Sequence, residues 1–230
     1  MVRQIIVVAL AAMLVTCALT FLFKASYPFV LASEEARTSL TVTNEQLTEL
    51  KSATQSSDRI AFGIAGILIA MTVTTSIAGF RSVGAMKAIA FAALGGLLTG
   101  VLAAPIGHWF DNNPAIGLEG SMAILVRWMA MLSPLAIVCG ISFAIGLGKP
   151  NTIANSVIGA LLGLVLASCL YSFASGVLTI VEDQHKILPQ HDSNRALIFA
   201  AVTGLIGVTI SFLLQLDLAR QAKTSELEAM

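Results

Sequence analysis

The sequence predicts an all-α, polytopic transmembrane helix bundle of about six spans, and three observations carry that expectation. Of 230 residues, 57% are hydrophobic and 11% charged, whereas a soluble domain carries roughly 25% charged residues. The mean hydropathy is +0.87. The charges fall in clusters, and the apolar stretches between them suffice to cross about 30 Å of hydrocarbon, which takes about 20 helical residues. These stretches are continuous and rich in Ala, Leu and Gly, so they do not read as alternating strands.

The first span runs from Gln4 to Phe23, between Arg3 and Lys24. A basic residue before an apolar run also begins a signal peptide, and Val30-Leu31-Ala32 resembles a cleavage site. The run is longer than the apolar region of a signal peptide, about 15 residues at most, and Ala32 lies well past its end. A retained anchor helix over residues 1–24 is therefore preferred. Residues 25–59 form a polar loop. Within it, Thr43 and Gln46 have capping-box spacing before Leu47 and Leu50, which predicts a short helix from Asn44 towards Ser52. The pattern is too short for a coiled coil, so a helical stalk leading into the second span is expected.

Residues 60–216 hold the bundle. The second span covers Ile60 to Phe80 and the third Ala88 to Trp109, with Pro105 expected to end the helix before Gly107. The fourth covers Met122 to Leu147. Its Pro134 cannot donate to the carbonyl of Ala130, so a kink is expected, with Ser133 placed to compensate in part. The fifth, from Thr152 to Val181, is longer than the hydrocarbon is thick and must tilt, project or break. The sixth covers Ala196 to Leu216, and residues 217–230 are read as a cytoplasmic tail.

Charge placement sets the orientation. With the N-terminus inside, the two short inner loops carry Arg81, Lys87 and Lys149 and no acid. The opposite loop from Phe110 to Ser121 carries Asp111 and Glu119 and no Lys or Arg. The positive-inside rule then favours both termini in the cytoplasm, in a cell inner (plasma) membrane. Cys17, Cys139 and Cys169 all fall within predicted spans, which does not fit a disulfide framework.

Lipid tails give no hydrophobic drive for helix association, so small residues that allow close approach must supply the packing. The third span carries Ala92, Gly96, Gly100 and Ala104 at steps of four, and the fifth Gly159, Gly163 and Ala167. The second offers Gly66, Ala70 and Thr74, and the sixth Thr203, Gly207 and Ser211. Packing within one chain is preferred, and a homo-oligomer or a protein partner meeting such faces is the alternative. A parallel two-helix repeat is a further candidate. Aligning 87–110 with 151–174 gives eight identities in 24 positions, among them Gly95 with Gly159.

Few residues are candidates for chemistry. Arg127 is the one charge inside a predicted span, near enough to its outer end to snorkel, and Asp111 or Glu119 could pair with it. Anchoring is preferred over a ligand role. The fifth span carries a polar stripe of Ser168, Tyr171, Ser172 and Ser175, and Ser172 and Ser175 are the candidates for lining a pathway. Phe173-Ala174-Ser175-Gly176 lacks the first glycine of an intramembrane serine protease motif, and the sixth span has no histidine to activate a serine. His108, His185 and His191 are weak candidates for a metal site, because they lack a ligand spacing. No phosphate loop, basic patch for nucleic acid or intramembrane carboxylate occurs, so no cofactor and no coupling ion are expected. The expected function is a non-enzymatic assembly or accessory subunit in the lipid bilayer. The alternative is a small transporter or channel for neutral or apolar solutes.

Overall fold

The computed structural model describes residues 2–38, 43–78, 84–113, 120–178, 187–189 and 191–228, all-helical apart from short turns and extended links, with no strand among the described residues. Six long helices form it: α1 (Val2–Ser26), α3 (Asn44–Ala78), α4 (Ala85–Asn112), α5 (Gly120–Leu147), α6 (Ile153–Leu178) and α7 (Asp192–Glu228). A single short helix, α2 (Glu34–Thr38), sits between the first two. Each of the six is long and apolar enough to cross a membrane. The chain is a multi-pass membrane protein.

The helices stand in a ring in chain order. Each of α3 to α6 packs on its successor, α1 packs on α3, and α7 returns to α1 and closes the ring. Across the ring, α3 also reaches α5 and α7. The small-residue faces do the closing, and they meet within the chain. A Cβ at Gly66 of α3 or at Gly96 of α4 would run into the other's carbonyl oxygen, and one at Gly100 would strike the carbonyl of Phe62. Gly163 of α6 lies against the backbone of Ile206 on α7, and Thr209 donates to the carbonyl of Gly159 at 2.7 Å. Gly207 of α7 abuts Val8 of α1. Gly95 and Gly159, the pair matched by the internal alignment, each face the next long helix in the chain, at Val138 and Ile210. α1 also contributes Leu19 and Phe23 to the core, both fully buried.

Several boundaries depart from those expected. The stalk and second span are one helix of 35 residues, about 52 Å long. Its start is a capping box in both directions: the Thr43 amide donates to Gln46 Oε1 at 3.0 Å, and the Gln46 amide to Thr43 Oγ1 at 3.3 Å. Residues 44–59 thus form an arm continuous with the membrane span, which names this end of the bundle. Pro105 does not end α4, which runs on to Asn112. Proline removes one donor, and the next turn is held from outside, by Gly107 against Met131 and Ile187 and by His108 near Asp58. Residues 217–228, within the stretch read as a cytoplasmic tail, are helical and continue α7 to Glu228. That stretch is rich in Ala, Leu, Lys, Arg, Gln and Glu and lacks Gly and Pro, so propensity carries the helix beyond the apolar run. The fifth span is described as helix to Leu178, and the rest of its expected length lies outside the described residues.

Pro134 sits inside an unbroken α5, and Ser133 Oγ donates to the Ala130 carbonyl at 3.3 Å, the acceptor that the proline leaves. α5 ends in a Schellman motif. Gly148, at φ +64, donates to Ile145 O at 3.0 Å and Lys149 to Ala144 O at 3.3 Å.

Candidate functional site: a buried polar layer at the arm end

The inward face of each bundle helix carries on past its apolar part and ends, at the arm end, in a polar residue. On α4 the series Ala92, Gly96, Gly100, Ala104 continues at the same step to His108. On α3 the buried positions Ile69, Ala65 and Phe62 lead back to Asp58, which is 3% exposed. On α5, Leu135 and Met131 lead to Arg127, 6% exposed, and on α7, Val202, Phe199 and Ile198 lead to Arg195 and Asn194. α6 supplies Ser168, Tyr171 and Ser172, all buried. The helical period that sets packing in the core thus turns these polar groups inward.

Three groups of polar and charged side chains organise the layer. The Tyr27 phenol, just beyond α1, donates to Asp58 Oδ1 at 2.9 Å, while His108 Nε2 lies 3.3 Å from Asp58 Oδ2. One carboxylate therefore ties together the end of α1, the arm and α4. Burial first, then the charge of Asp58 and its hydrogen bond, push the Tyr27 phenol above its ordinary range, and Arg195 pulls it back. Arg127 Nη1 donates to Asp111 Oδ1 at 2.9 Å, joining α5 to α4. Arg195 Nη2 donates to Asp192 Oδ1 at 3.0 Å, and Lys24 Nζ approaches Asp192 Oδ2 at 3.9 Å.

Beneath the charges lies an aromatic plug. The ring of Trp128 stands 5.5 Å from Tyr171 and 6.1 Å from Phe62, centroid to centroid, and Trp128 and Tyr171 are fully buried. Trp128 Nε1, Ser168 Oγ and Thr203 Oγ1 are buried without a hydrogen-bond partner among the described residues. Deeper still, Thr74 and Ser142 share a hydrogen bond at 2.8 Å between α3 and α5.

The sequence candidates are only partly brought together. Arg127 and Ser172 belong to the layer, but the side chain of Ser175 lies outside the described residues. His108 is drawn to Asp58, His191 is exposed just before α7, and His185 lies outside the described residues. Among the described residues no three His, Cys, Asp or Glu side chains are placed to hold a metal ion. Asp58, Tyr27 and Arg195 were missed by sequence reasoning because they flank apolar runs and read as loop residues. The signal that finds them is the packing face, continued one turn beyond the apolar stretch.

Among the described residues, two cavities open at this end. One of about 640 Å³ runs between residues 30–32 and the arm, lined among others by Leu31, Thr48, Glu49 and Ser52. The other, of about 400 Å³, lies between the ends of α1 and α7 and is lined by Phe23, Tyr27 and Arg195 among others. Neither is lined by Arg127 or Ser172. No protein-family model, curated protein or solved structure matches the chain.

Proposed function

We propose that the chain is a non-enzymatic assembly or accessory subunit of a membrane complex, with the arm of α3 as its contact surface. The observation that carries this reading is how the inward faces are used. Glycine-mediated backbone contacts close the middle of the ring, and Trp128, Tyr171 and Phe62 fill its arm end. Little of the interior among the described residues is left for a solute, whereas residues 44–54 extend α3 about 16 Å past the buried Ser57 and Asp58 and flank an open groove. A photo-crosslinking residue at Thr48 or Ser52 is expected to give one adduct of discrete mass in membranes, and the same probe at the lipid-facing Leu98 none. Adducts that are absent or equal at both positions would refute the assembly role.

A small transporter for neutral solutes is the second reading. It is favoured by the buried, unpartnered Trp128 Nε1, Ser168 Oγ and Thr203 Oγ1, which need hydration as the wall of a narrow wet path does. Proteoliposomes shrinking in a glycerol or urea gradient decide it: re-swelling faster than in empty liposomes favours transport over assembly.

A further inference from the structure

The groove along the arm of α3 is held open by its own hydrogen bonds, and its two walls identify what it receives. One wall is the helix. Glu45, Glu49, Ser52 and Ser56 follow at steps of four, three and four and so share one face. The short side chains at Ser52 and Ser56 leave room for a groove of about 640 Å³. The other wall is the link over residues 30–32, tied at both ends. The Val30 amide donates to Ser57 Oγ at 2.9 Å, and that hydroxyl donates to the Val30 carbonyl at 3.1 Å. Three residues on, the Ser33 amide and hydroxyl donate to the two carboxylate oxygens of Glu49, at 2.6 and 3.1 Å. Between these ties Leu31 is 60% exposed, and its amide and carbonyl make no hydrogen bond among the described residues.

The groove is negative. Among the described residues Glu45 and Glu49 line it, no Lys or Arg does, and neither carboxylate has an ion pair. The bonds of Glu49 come from neutral donors, so its charge is not cancelled. Lys51 falls on the far side of the arm, about 200° around the helix from Glu49. The excess survives a count of every neighbour on these walls: from Pro28 to Ile60 the chain has five acids and three bases, a net charge of −2. A free amide and carbonyl beside a groove offer an extended chain the pairing that a sheet edge does. The wall from Glu45 to Ser56 is about 16 Å long, the length of about five extended residues. We propose that the groove receives an extended polypeptide segment bearing Lys or Arg, supplied by the partner in the assembly reading, on which this inference rests.

The test is fluorescence anisotropy of dye-labelled pentapeptides added to the full chain in dodecyl maltoside. Val-Lys-Val-Lys-Val is expected to bind saturably and Val-Glu-Val-Glu-Val not to bind. Ser52→Trp, at an exposed position of the arm, fills the groove without altering charge and is expected to abolish binding. Glu45→Gln, also exposed, is expected to weaken it about threefold, the loss of one exposed charge pair. Equal binding of the two peptides, or a Ser52→Trp variant that binds as the natural chain does, would overturn the proposal. Spermidine displacing the lysine peptide at equal concentration would also overturn it, in favour of a small cation. If neither peptide binds while the crosslinker at Ser52 gives its adduct, the cationic segment is refuted and the assembly role stands. If the lysine peptide binds selectively and no adduct forms in membranes, the preference of the groove stands and the assembly role falls.

Discussion

Gly66 and Gly96 face each other across α3 and α4 so closely that a methyl group on either would meet the other's carbonyl oxygen. Neither backbone can retreat alone, because Gly100 repeats the contact one turn away against Phe62 and Gly63. Gly96→Ala is therefore expected to force the helices apart and to cost about 2 kcal/mol, as overpacking does. Gly204→Ala is the control. A Cβ there would find only Ala12, at 3.8 Å, and replacing a mid-helix glycine gains about 0.5–1 kcal/mol. Unfolding in detergent should lower the midpoint for the first variant and leave or raise it for the second.

These glycines were legible in the sequence because small residues at steps of four have one common use in a membrane. The capping box at Thr43 was legible for a similar reason, since two residue types at one spacing satisfy each other's backbone. Asp58 and Arg195 were not. Hydropathy records that a charge lies at the edge of an apolar run, but not which side of the helix it occupies. Pro105 misled for a related reason, because the contacts that carry α4 past it come from α3, α5 and residue 187, all distant in sequence.

The phenol of Tyr27 makes stability depend on pH at the alkaline end. Its folded-state pKa lies above the ordinary value of 10.0, chiefly through burial and then through Asp58. A group that holds its proton more tightly when folded contributes stability in full below its unfolded pKa and loses it as pH rises beyond. Stability is thus expected to be level to about pH 9 and to fall above pH 10. Tyr27→Phe should be less stable at pH 8, having lost the hydrogen bond to Asp58, yet decline less from pH 9 to 11. Parallel declines in the two proteins would show that the phenol is not the titrating group.

Ser133 and Pro134 are expected to be energetically coupled. The serine hydroxyl donates to the Ala130 carbonyl, the acceptor that the proline cannot serve. Ser133→Ala should cost about 1 kcal/mol in the natural sequence, the net value of one hydrogen bond. In a Pro134→Ala background the backbone amide takes over the acceptor, and the same change should cost close to nothing. A double-mutant cycle reads that difference directly. Equal costs in both backgrounds would mean that the hydroxyl's contribution does not depend on the proline.

Arg127 and Asp111 differ in exposure, and that difference predicts unequal costs of removal. The arginine side chain is 7% exposed and the aspartate 41%. Breaking a fully buried pair from one side costs about 3–5 kcal/mol. Water around Asp111 screens part of that, so about 1–2 kcal/mol is expected for Asp111→Ala. The guanidinium then remains inside the bundle with its bond to Asp111 gone, whereas an apolar side chain there has no such bond to lose. Arg127→Leu combined with Asp111→Ala should accordingly be more stable than Asp111→Ala alone. This ordering separates an anchor from a solute-binding group. An anchor can be exchanged for an apolar side chain once its partner is also removed, with glycerol and urea permeation unchanged. If Arg127 instead handled a solute, the double variant would keep its stability and lose the flux.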